Sequence, residues 1–139
     1  MPVLDENDIV IAVRDHIAAA GWTIEQFQLS NQHGPDVLAE RSGDRLRVEA
    51  KGATSSKVGS KKYGVPFDSA DVEINLADAL YKTCVGVDAY RRLAIAFQDD
   101  ELHRRYVGRL ASPLRTLGIG VFWVAADTRA ATLEAAWQL

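Results

Sequence analysis

The sequence predicts an α/β (α+β) domain in which a mixed β-sheet is flanked by helices, in the order α-β-β-β-α-β-α-β. Three observations predict it. Apolar residues recur at helical spacing near the N-terminus. Three short β-branched or alternating segments then follow, separated by turn clusters. Later, two continuous apolar runs of strand length alternate with helical stripes. A switch from period 3.6 to period 2 and back is the mark of helices packed on a sheet. At 139 residues, 47% hydrophobic and 25% charged, the chain fits a single domain spanning 1–139. A chain of that size can bury most of its unfolded surface without a metal or disulfide staple.

Taken in order, residues 5–20 place Ile9, Val13, Ile17 and Ala20 on one helical face, and Gly21 closes the helix. Residues 22–29 read as a strand, and residues 31–35 are a turn cluster. Residues 36–41 form a second strand, and Ser42-Gly43-Asp44 makes a tight hairpin turn. Residues 45–51 alternate, so that Leu46, Val48 and Ala50 face one way and Arg47, Glu49 and Lys51 the other. Residues 52–66 are polar and glycine-rich and read as a long exposed loop. A helix over 69–85 carries Val72, Leu76, Ala79, Leu80 and Thr83 along one side. Residues 93–97 form a strand covered on both faces. Leu102, Tyr106, Leu110 and Leu114 mark one further helix, residues 121–124 a final core strand, and residues 132–139 a short terminal helix.

Charge narrows the function classes. The formal charge of −3 argues against a general nucleic-acid coat, which is usually basic throughout. The distribution is uneven, however. Residues 41–63 hold seven basic and two acidic side chains, while residues 1–40 hold seven acidic ones and a single arginine. A polyanion can dock on the first region while a cation sits in the second. No run approaches 18 apolar residues and the N-terminus is acidic, so a cytoplasmic protein with no membrane partner is expected. The lone Cys84 sits in an apolar helical stretch and reads as a small buried hydrophobe.

The residues that carry chemistry lie around the predicted hairpin. Asp36 begins one strand, and Glu49 and Lys51 leave the same face of the next. Phosphodiester hydrolysis needs an activated water, a counter-charge and a stabilised leaving oxygen. A hard cation such as magnesium, held by carboxylate and carbonyl oxygens, supplies all three. Taken singly the parts have plainer explanations. Glu49-Ala50-Lys51 is also what the wet side of an edge strand looks like, and Pro35-Asp36 is a common turn dipeptide. The combination of turn, Asp, hairpin, Glu-x-Lys-Gly and basic loop is more specific than any part of it.

Gly34-Pro35-Asp36-Val37, followed by residues 46–52 (Leu-Arg-Val-Glu-Ala-Lys-Gly), resembles the signature of the PD-(D/E)xK nuclease superfamily. The resemblance extends over residues 5–124 and includes the first helix from Glu6 to Gly21-Trp22, the helix through residues 79–82 and the strand 93–97. It implies a restriction-endonuclease-like fold and a nuclease using Mg²⁺ or Mn²⁺, acting on DNA in preference to RNA. It also implies that Asp36, Glu49 and the Ala50 carbonyl bind the metal. Lys51 would orient or deprotonate the attacking water, and Glu6 would supply a first-helix acid. Asp8 competes with Glu6 for that last role, because two residues apart on a helix they cannot both face one site. Either can equally be a partner of the helix dipole.

Around this core, Lys57, Lys61 and Lys62 are candidate phosphate contacts or, alternatively, a solvated loop. His33 is a candidate substrate contact. Tyr63 can stack on a base or pack on its own domain. His16 and His103 read as surface or boundary residues, and Arg104, Arg105 and Arg109 as the wet face of a helix. Asp68, Asp71, Glu73 and Asp78 give the helix over 69–85 an acidic character that disfavours DNA lying along it. So small a domain has little surface for reading a long site, so a homodimer or weak sequence preference is expected. The main alternative function is a non-catalytic nucleic-acid-binding or assembly module on the same fold. A third is a small toxin or immunity-type protein whose acidic helix binds another protein.

Overall fold

The computed structural model describes residues 2–29, 34–85, 90 and 92–139. Helix α1 spans Glu6–Ala19, and strands β1 (Thr23–Phe27), β2 (Val37–Arg41) and β3 (Asp44–Ala50) follow. Next come α2 (Ser69–Val85), β4 (Arg92–Gln98), α3 (Glu101–Gly108), α4 (Ala111–Leu117), β5 (Ile119–Val124) and β6 (Ala131–Glu134). All six strands join one mixed sheet in sequential order. β1, β2 and β3 are antiparallel neighbours, β3, β4 and β5 run parallel, and β6 returns antiparallel to β5. Among the described residues no helix is long and apolar enough to cross a membrane.

Two parallel connections stepping the same way across a sheet, each right-handed, put their helices on one face. Accordingly Leu76 and Ala79 of α2, Val107 of α3 and Leu114 of α4 pack with Leu93, Ile95, Phe97, Val121 and Trp123. Helix α1 covers the opposite face, where Ile9, Val13 and Ile17 meet Leu46, Val48, Ala50, Ala94, Ala96 and Phe122. β4 and β5 are therefore buried on both sides, which is why their sequences read as unbroken apolar runs. Between β2 and β3, Ser42 (φ 52°) and Gly43 (φ 85°) both occupy the left-handed region. That is the signature of the two-residue hairpin turn whose twist matches the strands.

The structure differs from expectation in several places. The stripe from Leu102 to Leu114 is two helices, not one. Pro113 has no N–H, and its ring would collide with the carbonyl of Arg109, where the break falls. The expected terminal helix over 132–139 is instead strand β6, paired with the free edge of β5. Gly120 makes room for this tail, since a Cβ there would lie 2.9 Å from both Ala135 and Trp137, and the Trp137 indole donates to the Gly118 carbonyl. Burial of Leu133 and Trp137 overrides the helix propensity of an alanine-rich segment. Cys84 is exposed rather than buried. His103 is buried, with Nδ1 2.8 Å from both carboxylate oxygens of Asp100, the N-cap of α3. Arg104 is not simply a wet-face residue: it lies 4.1 Å over the Trp123 ring and pairs with Asp99.

Candidate active site

Strand register brings the predicted carboxylates together. Val37 pairs with Val48 across the β2–β3 ladder, so Asp36, one step earlier, stands opposite Glu49. Both leave the sheet on the face covered by α2, because Val37 and Val48 belong to the core under α1 and neighbours alternate. The backbone of Asp36 is fixed by its carbonyl, which accepts from the Gln28 N–H at 2.8 Å. Its Oδ2 accepts from the Ala50 N–H at 2.7 Å, and its carboxyl hydrogen-bonds that of Glu49.

The electrostatics follow from that crowding. Burial is the largest influence on Asp36 and raises its pKa. The Ala50 N–H opposes it, and the negative charges of Glu49 and Glu6 add to it, so the group is pushed up to about 7 from an ordinary 3.8. In its protonated form Asp36 can donate to Glu49. Glu49 is only 3% exposed, and its Oε1 accepts from the Arg47 guanidinium at 2.8 Å. Arg47 is two residues back on the same strand face, and its Nε–H is itself buried without an acceptor among the described residues.

Glu6 joins the group from the first turn of α1. Gly52 is what lets that helix start come so close: a Cβ on Gly52 would sit 2.4 Å from the Glu6 backbone nitrogen and 2.6 Å from the Asp5 carbonyl carbon. The Ala53 N–H donates to the Leu4 carbonyl at 2.7 Å, which ties the end of β3 to the start of α1. Burial raises the pKa of Glu6, opposed by Lys51 and Lys82 and assisted by Glu49 and Asp78. Asp8 is turned away. It closes a capping box with Asp5 and pairs with Arg129 at 3.1 Å. Of the two acids weighed for the site, only Glu6 is part of the cluster.

Lys51 is placed from the other side by α2. Its ammonium donates to Asp78 Oδ2 at 2.5 Å, and the same oxygen is 3.0 Å from Lys82, one turn further along the helix. Burial works against ionised Asp78, but hydrogen bonds from both lysines hold its carboxyl below the usual range. The Asp78 bond, helped by the negative charges of Glu49 and Asp36, raises the pKa of Lys82. Asp78 therefore acts through the two lysines rather than as an acidic surface facing a substrate. Arg47, Asp78 and Lys82 were not singled out as site residues from the sequence. The usable signals were the i, i+2 spacing of Arg47 and Glu49 and the i, i+4 spacing of Asp78 and Lys82.

The basic loop divides. Lys57 and Lys61 are exposed. Lys62 instead donates to Asp71 at 2.9 Å and lies 3.5 Å from Asp68, which ties the loop to the start of α2. The loop's first residues, Gly52, Ala53 and Thr54, are buried rather than exposed. The Thr54 hydroxyl lies 2.6 Å from the Lys62 carbonyl and 2.8 Å from that of Val65. Tyr63 is exposed. The candidate contact His33 lies outside the described residues.

The donor set suits a hard divalent cation. Asp36 and Glu49 present two carboxyls so close that burial and mutual repulsion favour a proton on Asp36, and a cation held there would replace it. Among the described residues no three Asp, Glu, His or Cys side chains gather closely enough to hold an ion. Two carboxylates completed by water and substrate oxygens are nevertheless the usual provision for Mg²⁺. Comparison with protein-family models, with curated proteins and with solved structures finds no match to this chain.

Proposed function

We propose that this chain is a metal-dependent nuclease of the PD-(D/E)xK type, on a restriction-endonuclease-like fold, hydrolysing phosphodiester bonds in DNA with Mg²⁺ or Mn²⁺. One observation carries the proposal: the Asp36 and Glu49 carboxyls meet in hydrogen-bond contact across the hairpin, with Lys51 two residues further along the same strand face. The fold supports it as well, since the hairpin that carries the site leads through α2 into the parallel pair β4 and β5.

A divalent ion held at such a site would supply Lewis-acid polarisation of the phosphoryl group and of the attacking water. The chain's own residues do the rest. Asp36 and Glu49 would hold the ion, with the Ala50 carbonyl as a candidate third donor. Lys51, held in place by Asp78, orients the attacking water and offsets negative charge as it develops on the phosphate. Glu6 adds a further acidic group at the rim. Lys57 and Lys61, exposed on the loop that follows β3, provide sequence-independent attraction to the backbone.

The test is incubation of the purified chain with plasmid, single-stranded and branched DNA, with and without Mg²⁺. Cleavage should require Mg²⁺ or Mn²⁺ and should fall about 100-fold or more in Glu49→Ala. DNA binding without cleavage, indifferent to both metal and Glu49→Ala, would instead identify a non-catalytic binding module.

A further inference from the structure

Helix α2 is apolar on two opposite faces. Val72, Leu76, Ala79 and Thr83 are buried against the domain. At 100° per residue, Ala70, Ile74, Ala77, Tyr81 and Val85 fall on the far side of the helix. There Ile74 is 67% exposed, Tyr81 71% and Val85 69%, and both alanines are exposed. A contiguous apolar patch of this kind, on the side of the helix away from its own core, marks an interaction surface.

The charges beside the stripe indicate what covers it. The start of the helix carries Asp68, Asp71 and Glu73 with no base, and the end carries Lys82. Two copies packed in parallel would set acid against acid. Packed antiparallel about a two-fold axis lying in the contact plane, each flank of the helix stays on its own side of the pair. Asp71 and Lys82 share one flank, so Lys82 of each copy comes opposite Asp71 of the other. Each already has an intrachain partner, Asp78 and Lys62 respectively, so the contact extends existing surface pairs into a network.

We propose that the outer face of α2 is a homodimer interface in which two copies of the helix pack antiparallel, centred beside Ala77. Small Ala77 allows close approach at the axis, and Tyr81 of one copy lies over Ala70 and Ile74 of the other. Such an isologous contact closes after two copies. It also brings the two Lys51–Asp78–Lys82 flanks together on one side of the pair. The proposal does not depend on the nuclease assignment, because it rests on side chains outside the carboxylate cluster.

Sedimentation of the whole chain from low to high micromolar concentration should show a monomer–dimer equilibrium. The double variant Ile74→Asp, Tyr81→Asp should weaken it by at least about 100-fold, with an unchanged circular dichroism spectrum because both positions are exposed. Disulfide trapping reads the geometry. In a Cys84→Ser background, Ala77→Cys should cross-link readily under mild oxidation. The native Cys84 pair should not, because it would be separated by roughly 20 Å along the helix axis. A chain that stays monomeric throughout, a charged double variant that still dimerises, or Cys84 cross-linking faster than a cysteine at position 77 would each overturn the proposal.

Discussion

Replacing Asp36 with asparagine should stabilise the metal-free protein at alkaline pH while removing its ability to hold a divalent ion. Asparagine has the shape of the protonated acid: its carbonyl can accept from the Ala50 N–H, and its amide can donate to Glu49, as protonated Asp36 does. The magnitude follows from the shift. The folded carboxyl titrates near about 7 against 3.8 for an ordinary aspartate, so folding takes up a proton between those values. The stability associated with this group is therefore complete below about pH 4 and is lost as pH rises through about 7. At about 1.4 kcal/mol per pH unit, the cost of ionising Asp36 in the folded state approaches about 4 kcal/mol at pH 8, and water entry reduces it. Asp36→Asn should thus gain about 2 to 4 kcal/mol over the native chain at pH 8, and almost nothing at pH 4. Urea denaturation in the presence of a chelator, at both pH values, measures the difference directly. An advantage that is absent at pH 8, or equally large at pH 4, would refute a shared proton between Asp36 and Glu49.

Three further outcomes are expected. Gly52→Ala should destabilise the fold by several kcal/mol and depress any activity, because the new methyl meets the Glu6 and Asp5 backbone, not a movable side chain; thermal melting with an activity assay checks this. Arg47→Met should leave the fold intact but weaken metal affinity by about 10- to 100-fold, as measured by Mn²⁺ titration, because the guanidinium that orients Glu49 is gone; Arg47→Lys should recover part of the loss. The double variant Lys57→Ala, Lys61→Ala should lower DNA affinity similarly for unrelated sequences and reduce the slope of log affinity against log salt by about 2, whereas Lys62→Ala, already paired with Asp71, should change it less.

Much of this architecture is legible in the sequence because the deciding signals are local. The apolar runs of β4 and β5, the alternation of Leu46, Val48 and Ala50 in β3, and the Ser42-Gly43 turn each impose their own geometry. So does the placement of Glu49 and Lys51 on one face, and the hairpin then carries Asp36 to Glu49. What escaped depends on distant partners. Residues 131–134 become a strand only because β5 offers an edge and Gly120 leaves space. Pro113 breaks the helix, whereas the leucine spacing runs unbroken across it. His103 is buried because Asp100 and Phe97 enclose it, and neither neighbour is evident from a helical stripe. The acidity of α2 in the sequence disfavours a polyanion, whereas Asp78 is occupied by Lys51 and Lys82, a pairing set by how the helix lies over β3.

The most direct measurement is a calorimetric titration of Mn²⁺ into the native chain at pH 6.5 and pH 8.5, in paired buffers of different ionisation enthalpy. Ion binding at the Asp36–Glu49 pair should release about three-quarters of a proton per ion at the lower pH and almost none at the higher, and Glu49→Ala should abolish the binding. Binding that releases no proton at either pH, or that survives Glu49→Ala unchanged, would contradict the assignment of this pair as the metal site.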